Sequence, residues 1–167
     1  RELLRGSPII HGSIVANRAA FLEVGGYDDH YRIVADVDLY DRLLPKHIAA
    51  NIPRKLLGIR QHQNQDSRSK RVYDESIEHC SRRLSTVNYS HQDAAVVRST
   101  LARTHVYRAR VWGADHNYSE FWKDLSRAIR ISPSSFPRHV FFAFFVSLIS
   151  EPTRAKLKRI LGRSVAK

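Results

Sequence analysis

Apolar and polar positions follow two different patterns along the 167 residues. From Ile9 to about Ser69 the apolar runs are short, and turn formers interrupt them at Gly12-Ser13, Gly25-Gly26, Pro45 and Pro53. This spacing predicts an extended segment over 10–16, then a short helix over 18–24 in which Ala20, Phe21 and Val24 share a face. Asn17 is placed to cap that helix and Gly25 to end it. A loop over 26–33 follows, then a second helix over 38–44, where Asp36 and Asp38 suit the positive helix end. Residues 48–52 and 55–59 read as two short strands broken at Pro53. From Arg71 onward the spacing becomes helical, over 72–86, 93–111, 119–131, 136–149 and 152–161, with Ser132-Pro133 and Glu151-Pro152 as punctuation. Two portions are expected, 1–70 mixed and 71–167 helical.

The run Val140-Phe141-Phe142-Ala143-Phe144-Phe145-Val146 is apolar on every side but falls short of the roughly 20 residues that span a bilayer. It reads as a buried or interfacial helix. Behind it, Arg154, Lys156, Lys158, Arg159 and Arg163 alternate with Leu157, Ile160 and Leu161. That basic amphipathic pattern is first that of a solvated terminal helix with its apolar stripe on its predecessor, with a helix lying on anionic lipid as the alternative.

Composition places the chain among ordinary globular proteins, with 43% hydrophobic and 26% charged residues. Disordered, collagen-like and coiled-coil classes are excluded. A single cysteine, Cys80, excludes an intrachain disulfide framework and a cysteine-rich zinc site. The chain holds no Met and opens on Arg1-Glu2-Leu3-Leu4 without a signal peptide's apolar core, so it is expected to be a segment of a longer protein.

The net charge of +12 is unevenly spread. Residues 1–53 hold six Lys or Arg against seven Asp or Glu, a net −1, which leaves 22 bases and 9 acids, a net +13, for the rest. Acids gathered in one half and bases in the other suggest two functional layers, with phosphate in some form as a partner.

Three features of the first half could carry chemistry. Gly25-Gly26-Tyr27-Asp28 is a helix C-cap with a turn, or a loop whose backbone comes close to a ligand. Asp36 and Asp38 are cap and dipole partners, a metal-ligand pair, or a general base with a supporting neighbour. Arg60-Gln61-His62 places a guanidinium and an imidazole on one side of an extended segment, which suits phosphate and metal contact together, although a lone His at a strand end more often packs. His79, Cys80, His91, His105 and His116 show no zinc spacing and are expected in packing and surface roles.

In order, His11-Gly12-Ser13, Asn17-Arg18, Gly25-Gly26-Tyr27-Asp28, Ala35-Asp36-Val37-Asp38-Leu39-Tyr40-Asp41-Arg42-Leu43, Ile52-Pro53 and Arg60-Gln61-His62 resemble the second half of the catalytic domain of family 2 glycosyltransferases. The resemblance covers about residues 7–69. It implies an α/β (α+β) fragment of the GT-A nucleotide-diphospho-sugar transferase fold, followed by an all-α C-terminal extension. It implies transfer, with inversion, of a sugar from a nucleotide-sugar donor to the hydroxyl of a saccharide or lipid-linked acceptor. Asp36 matches the catalytic base. Gly25, Gly26, Tyr27 and Asp38 match the acceptor side, Arg60 and Ser13 the donor phosphates, and His62 the ligand of a divalent metal, Mg²⁺ or Mn²⁺. Where the family usually has an acid before the base, this chain has Ala35. The family's donor-binding half has no counterpart in these residues, so the segment alone is expected to be inactive. Family habit places such enzymes in the cytoplasm, peripheral at the inner face of the membrane.

Two other readings come from the helical half. Ala102, His105, Tyr107, Ala109, Ala128 and Pro133 weakly resemble a tetratricopeptide hairpin, which suits a helical adaptor, but one copy cannot bury a solenoid's faces. Basic clusters such as Arg82-Arg83 suit a nucleic-acid-binding module, yet no recognised motif or exposed aromatic interleaving accompanies them, so no specific nucleic-acid partner is expected.

Overall fold

The computed structural model describes residues 2–5, 9–54, 56–60 and 69–133. Two 3-10 turns, Glu2–Arg5 and His11–Ser13, precede five α-helices: α1 Arg18–Glu23, α2 Ala35–Leu43, α3 Lys70–Thr86, α4 His91–Ala114 and α5 Tyr118–Ile131. The helices expected over 136–149 and 152–161 lie outside the described residues.

Local signals explain each helix end. Asn17 accepts the N–H of Ala19 at 2.8 Å and so caps α1. At its other end the N–H of Gly25 reaches Leu22 O and that of Gly26 reaches Phe21 O, both at 3.0 Å, the two bonds of a Schellman motif. Both glycines stand at positive φ, 85° and 68°. A Cβ on Gly26 would also come within 3.1 Å of the Phe21 ring, so a side chain there meets strain and contact together. Ser90 caps α4, its Oγ accepting the N–H of Asp93 at 3.1 Å while its hydroxyl donates to the Asp93 carboxylate at 2.7 Å. Asn117 caps α5 after His116, whose φ of 58° turns the chain out of α4.

The apolar core lies in the helical half. Ala109 of α4 packs with Phe121 and Leu125 of α5, and Val106 and Trp112 close over them. Cys80 of α3 packs with Val97 and Leu101 of α4, joined by Leu4, Ile77, Leu84, Tyr89 and Ile131. Between the layers runs a buried ionic pair. Asp124 of α5, 1% exposed, accepts Arg108 Nε at 2.8 Å and Nη2 at 2.7 Å, and lies 2.9 Å from His105 Nδ1.

The first half rides on α3 mainly through charge. Asp41 of α2 sits 2.8 Å from His79 Nε2 and 3.0 Å from Arg83 Nη1, while Asp28 meets Arg82 at 3.1 Å. Cys80 and His79 are buried, the thiol pushed above its ordinary pKa by burial.

The expected α/β fragment of a GT-A fold is not what forms: among the described residues every regular element is helical and no strand occurs. Residues 10–16 hold the His11–Ser13 turn instead of a strand. Residues 48–52 and 56–59 are irregular, with Ile48, Ile52 and Leu56 facing outward. Their apolar, β-branched composition favours extension, but a strand exists only when a neighbour takes up its N–H and C=O groups, and none does so among the described residues.

Candidate functional site

The start of α2 is held from outside. Glu75 Oε2 of α3 accepts the backbone N–H groups of Arg32 at 3.0 Å, Ile33 at 2.7 Å and Val34 at 3.2 Å, and its Oε1 accepts Arg71 Nε at 2.6 Å. Arg32 and Ile33 lead into the helix and Val34 is its N-cap residue, so one carboxylate satisfies three N–H groups of the entering chain and complements the positive helix end. Burial pushes the Glu75 carboxyl upward, but the donors Ile33, Arg71, Val34 and Arg32 outweigh it and hold it below the ordinary value.

Asp36 and Asp38, both in the first turn of α2, have different fates. Two residues turn a helix by about 200°, so the two carboxylates leave on opposite sides. Asp38 is 7% exposed, and its Oδ2 accepts Arg42 Nε at 2.9 Å and Nη2 at 2.6 Å. Arg42 Nη1 also donates to the Val24 carbonyl, which ties α2 to the end of α1. Asp36 is half-buried and accepts the N–H of Val37 at 2.8 Å; no cation pairs with it among the described residues.

A chain of rings lies beside Asp36. Tyr40, one turn further along α2, is 2% exposed, and its hydroxyl lies 2.8 Å from His11 Nδ1. His11 Nε2 in turn lies 2.8 Å from the hydroxyl of Tyr27, which is 45% exposed. Burial, then the charges of Asp36 and Tyr27, pushes the Tyr40 phenol up to about 12, so its proton stays in place. A buried hydroxyl that only accepted would leave its own proton without a partner. Tyr40 therefore donates to Nδ1, Nε2–H donates to Tyr27, and the Tyr27 O–H is free to donate outward. The double glycine aims Tyr27, whose ring meets Phe21 and His11 edge-on at centroid distances of 5.2 and 5.7 Å.

Of the residues singled out in the sequence, the structure thus brings Gly25, Gly26 and Tyr27 together with the His11–Ser13 turn and with the start of α2 that carries Asp36. Asp38 is engaged inside the protein. Ser13 is exposed, its hydroxyl donating to Ile10 O at 2.7 Å. Arg60 is exposed, three residues beyond Leu57, whose side chain lies 3.6 Å from the place of a Cβ on Gly12. His62 lies outside the described residues. Among the described residues no three His, Cys, Asp or Glu side chains converge to hold a metal ion.

Sequence reasoning gave no role to His11, Tyr40, Arg42 or Glu75. Tyr40 and Arg42 were within reach, since each stands four residues after one of the two aspartates and so shares its helix face. His11 meets Tyr27 and Tyr40 across 16 and 29 positions, and Glu75 meets the backbone before α2 across 41 to 43, so these contacts carry no local signal.

Comparison with protein-family models, with curated protein sequences and with solved structures gives no match. Among the described residues no helix is long and apolar enough to cross a membrane.

Proposed function

We propose that residues 9–60 form the acceptor side of a glycosyl-transfer site in which Asp36 is the base. The reading rests on the order of the motifs and on the site, not on an α/β framework. The single observation that carries it is the contrast between the two carboxylates: Asp38 is consumed by Arg42, whereas Asp36 is partly open and paired with no cation among the described residues. A general base must reach its proton and must not already be neutralised.

In this reading the Asp36 carboxylate takes the proton of the acceptor hydroxyl as that oxygen bonds to the anomeric carbon. The bond from that carbon to the nucleotide diphosphate breaks, the electron pair leaves with the phosphate, and configuration inverts. Tyr27 offers its outward O–H and ring face to the saccharide or lipid-linked acceptor, while Gly25 and Gly26 set its direction. Arg60 supplies positive charge, and Ser13 a hydroxyl, for the donor phosphates. The divalent cation implied by the resemblance finds no assembled ligand set among the described residues, and no step is routed through it. Work at the cytoplasmic membrane face is part of the same proposal.

A second reading, a helical interaction module, is favoured by the apolar strip that Tyr118, Trp122 and Ile129 expose along α5, at positions sharing one helix face. Asp36→Asn separates the two readings, because an adaptor keeps its partner when one carboxylate is neutralised.

The test titrates UDP and UDP-sugars with Mn²⁺ into the chain expressed with any coding sequence upstream of Arg1, and measures transfer to saccharide acceptors. Asp36→Asn is expected to spare nucleotide binding and abolish transfer. Absence of any nucleotide-sugar binding, or full transfer by Asp36→Asn, overturns the reading.

A further inference from the structure

A second concave site lies away from the ring chain, where the N-terminal turn, α4 and the end of α5 meet. It is a cleft of about 460 Å³ whose walls include Arg5, Arg98 and Arg103 with the hydroxyl-bearing Ser99, Thr100 and Ser132. Among the described residues no Asp or Glu lines it. Among the described residues none of those assigned to glycosyl transfer lines it either, so a role for this cleft is argued apart from that reading.

The arrangement is built rather than a scatter of surface arginines. Thr100 Oγ1 donates to Leu4 O at 2.9 Å and Arg103 Nη2 donates to Arg5 O at 3.0 Å, so two consecutive carbonyls pin the 3-10 turn onto α4. That docking brings Arg5, distant in sequence, to the arginines of α4. Among the described residues no carboxylate forms an ion pair with any of the three. Arg71, Arg82, Arg83, Arg108 and Arg127 of the helical half each meet a carboxylate, whereas Arg110 and Arg130, which lie outside the cleft lining, meet none among the described residues; what sets Arg5, Arg98 and Arg103 apart is that they share one cleft.

Three like charges around one cleft repel one another, and a group of opposite sign entering it relieves that repulsion. The C-terminal end of α5 supplies part of this at Ile131 and Ser132, but a helix end carries only about half an elementary charge. A net positive charge remains. The planar guanidinium offers paired N–H donors that match two oxygens of one phosphate group. Thr100 donates to main-chain carbonyls, which leaves the guanidinium groups as the principal donors toward the cleft.

We propose that this cleft binds a phosphate group, held by Arg5, Arg98 and Arg103. The group could belong to a small soluble phosphate compound or to the headgroup of an anionic lipid, and the same chemistry serves both.

The experiment uses the full chain, ¹⁵N-labelled, titrated with sodium pyrophosphate at about 0.15 M salt, where exposed charges are screened beyond roughly 8 Å. Saturable shifts are expected at the amides of Arg5, Ser99, Thr100 and Ser132. The Arg98→Ala/Arg103→Ala variant is expected to weaken binding at least about tenfold, and Arg110→Ala, on an exposed part of α4, to leave it unchanged. Arg98→Gln alone tests the same point without touching the bond from Arg103 to Arg5. Flotation with phosphatidylcholine vesicles containing phosphatidic acid distinguishes the sources: flotation lost in Arg98→Gln and competed by pyrophosphate assigns a lipid headgroup, whereas flotation indifferent to the variant assigns a soluble phosphate. Unaltered pyrophosphate affinity in both arginine variants, or shifts spread without saturation over the basic surface, overturns the proposal.

Discussion

Glu75 and Ile33 are 42 residues apart, yet the Glu75 carboxylate accepts the Ile33 backbone N–H at 2.7 Å and, with it, the N–H groups on either side. Val34 at the N-cap of α2 has no side-chain oxygen, and a side chain of α3 instead fixes the chain entering the helix by its backbone N–H groups. The helix bearing Asp36 is held in place by contacts from the helical half.

Glu75→Ala is therefore expected to destabilise the fold by about 2–4 kcal/mol, because it strips three donors and Arg71 of one acceptor. Guanidinium denaturation followed by circular dichroism reads this as a lowered midpoint. A change below about 0.5 kcal/mol would mean that water satisfies those N–H groups equally well.

The two carboxylates of α2 are expected to respond oppositely to neutralisation. Asp36→Asn leaves the melting temperature essentially unchanged, since no ion pair is lost. Asp38→Asn weakens the pair with Arg42 and, through it, the tie to Val24, at a cost of about 1–2 kcal/mol, the partial exposure of Arg42 reducing the effect. Equal melting temperatures for the two variants would contradict the structural division of roles.

How far the chain could be read from its sequence depends on the range of the forces involved. Asn17, Gly25, the acidic first turn of α2 and the spacing over 72–86, 93–111 and 119–131 are local signals, and the helices form within a few residues of the expected bounds. Residues 10–16 and 48–59 were legible only as apolar and β-branched, and that composition becomes a strand only beside a partner. At the site, the Asp36-Val37-Asp38 spelling hid the decisive difference, which lies in what stands one turn further on: Tyr40 beyond Asp36, and Arg42 beyond Asp38. The docking of His11 between Tyr27 and Tyr40 depends on chain folding over 29 residues and could not be anticipated from spacing.

Removal of His11 is expected to cost more than removal of its buried partner's hydroxyl. His11→Leu leaves the Tyr40 O–H buried without an acceptor, a loss of about 1–3 kcal/mol. Tyr40→Phe removes the polar atom and leaves only a partly exposed imidazole nitrogen, which water can reach, so it costs less than about 1 kcal/mol. In the double variant the orphaned hydroxyl is gone as well, and its stability is expected to exceed that of His11→Leu. Urea midpoints of the three variants give the coupling directly, and simple additivity would show that the two rings do not share a hydrogen bond.

Acid is expected to unfold the helical half through Asp124. Burial raises its carboxyl, but hydrogen bonds from Arg108 and His105 and their charges outweigh this and hold it well below the ordinary aspartate value of 3.8. A carboxyl lowered in the folded state binds its proton more readily when unfolded, so its stabilisation is complete above about pH 4 and is lost as pH falls below that value. Glu75, also lowered, adds to the slope from its own ordinary value of 4.5 downward. Asp124→Asn removes the buried one of the two carboxylates on Arg108, Asp74 remaining 2.6 Å from Nη1, and is expected to cost about 2 kcal/mol at pH 7, with a shallower fall toward pH 3 because the group that bound the extra proton is absent. Urea midpoints measured from pH 7 to pH 3 on both proteins check this, and parallel curves below pH 4 would assign the acid sensitivity to carboxylates other than Asp124.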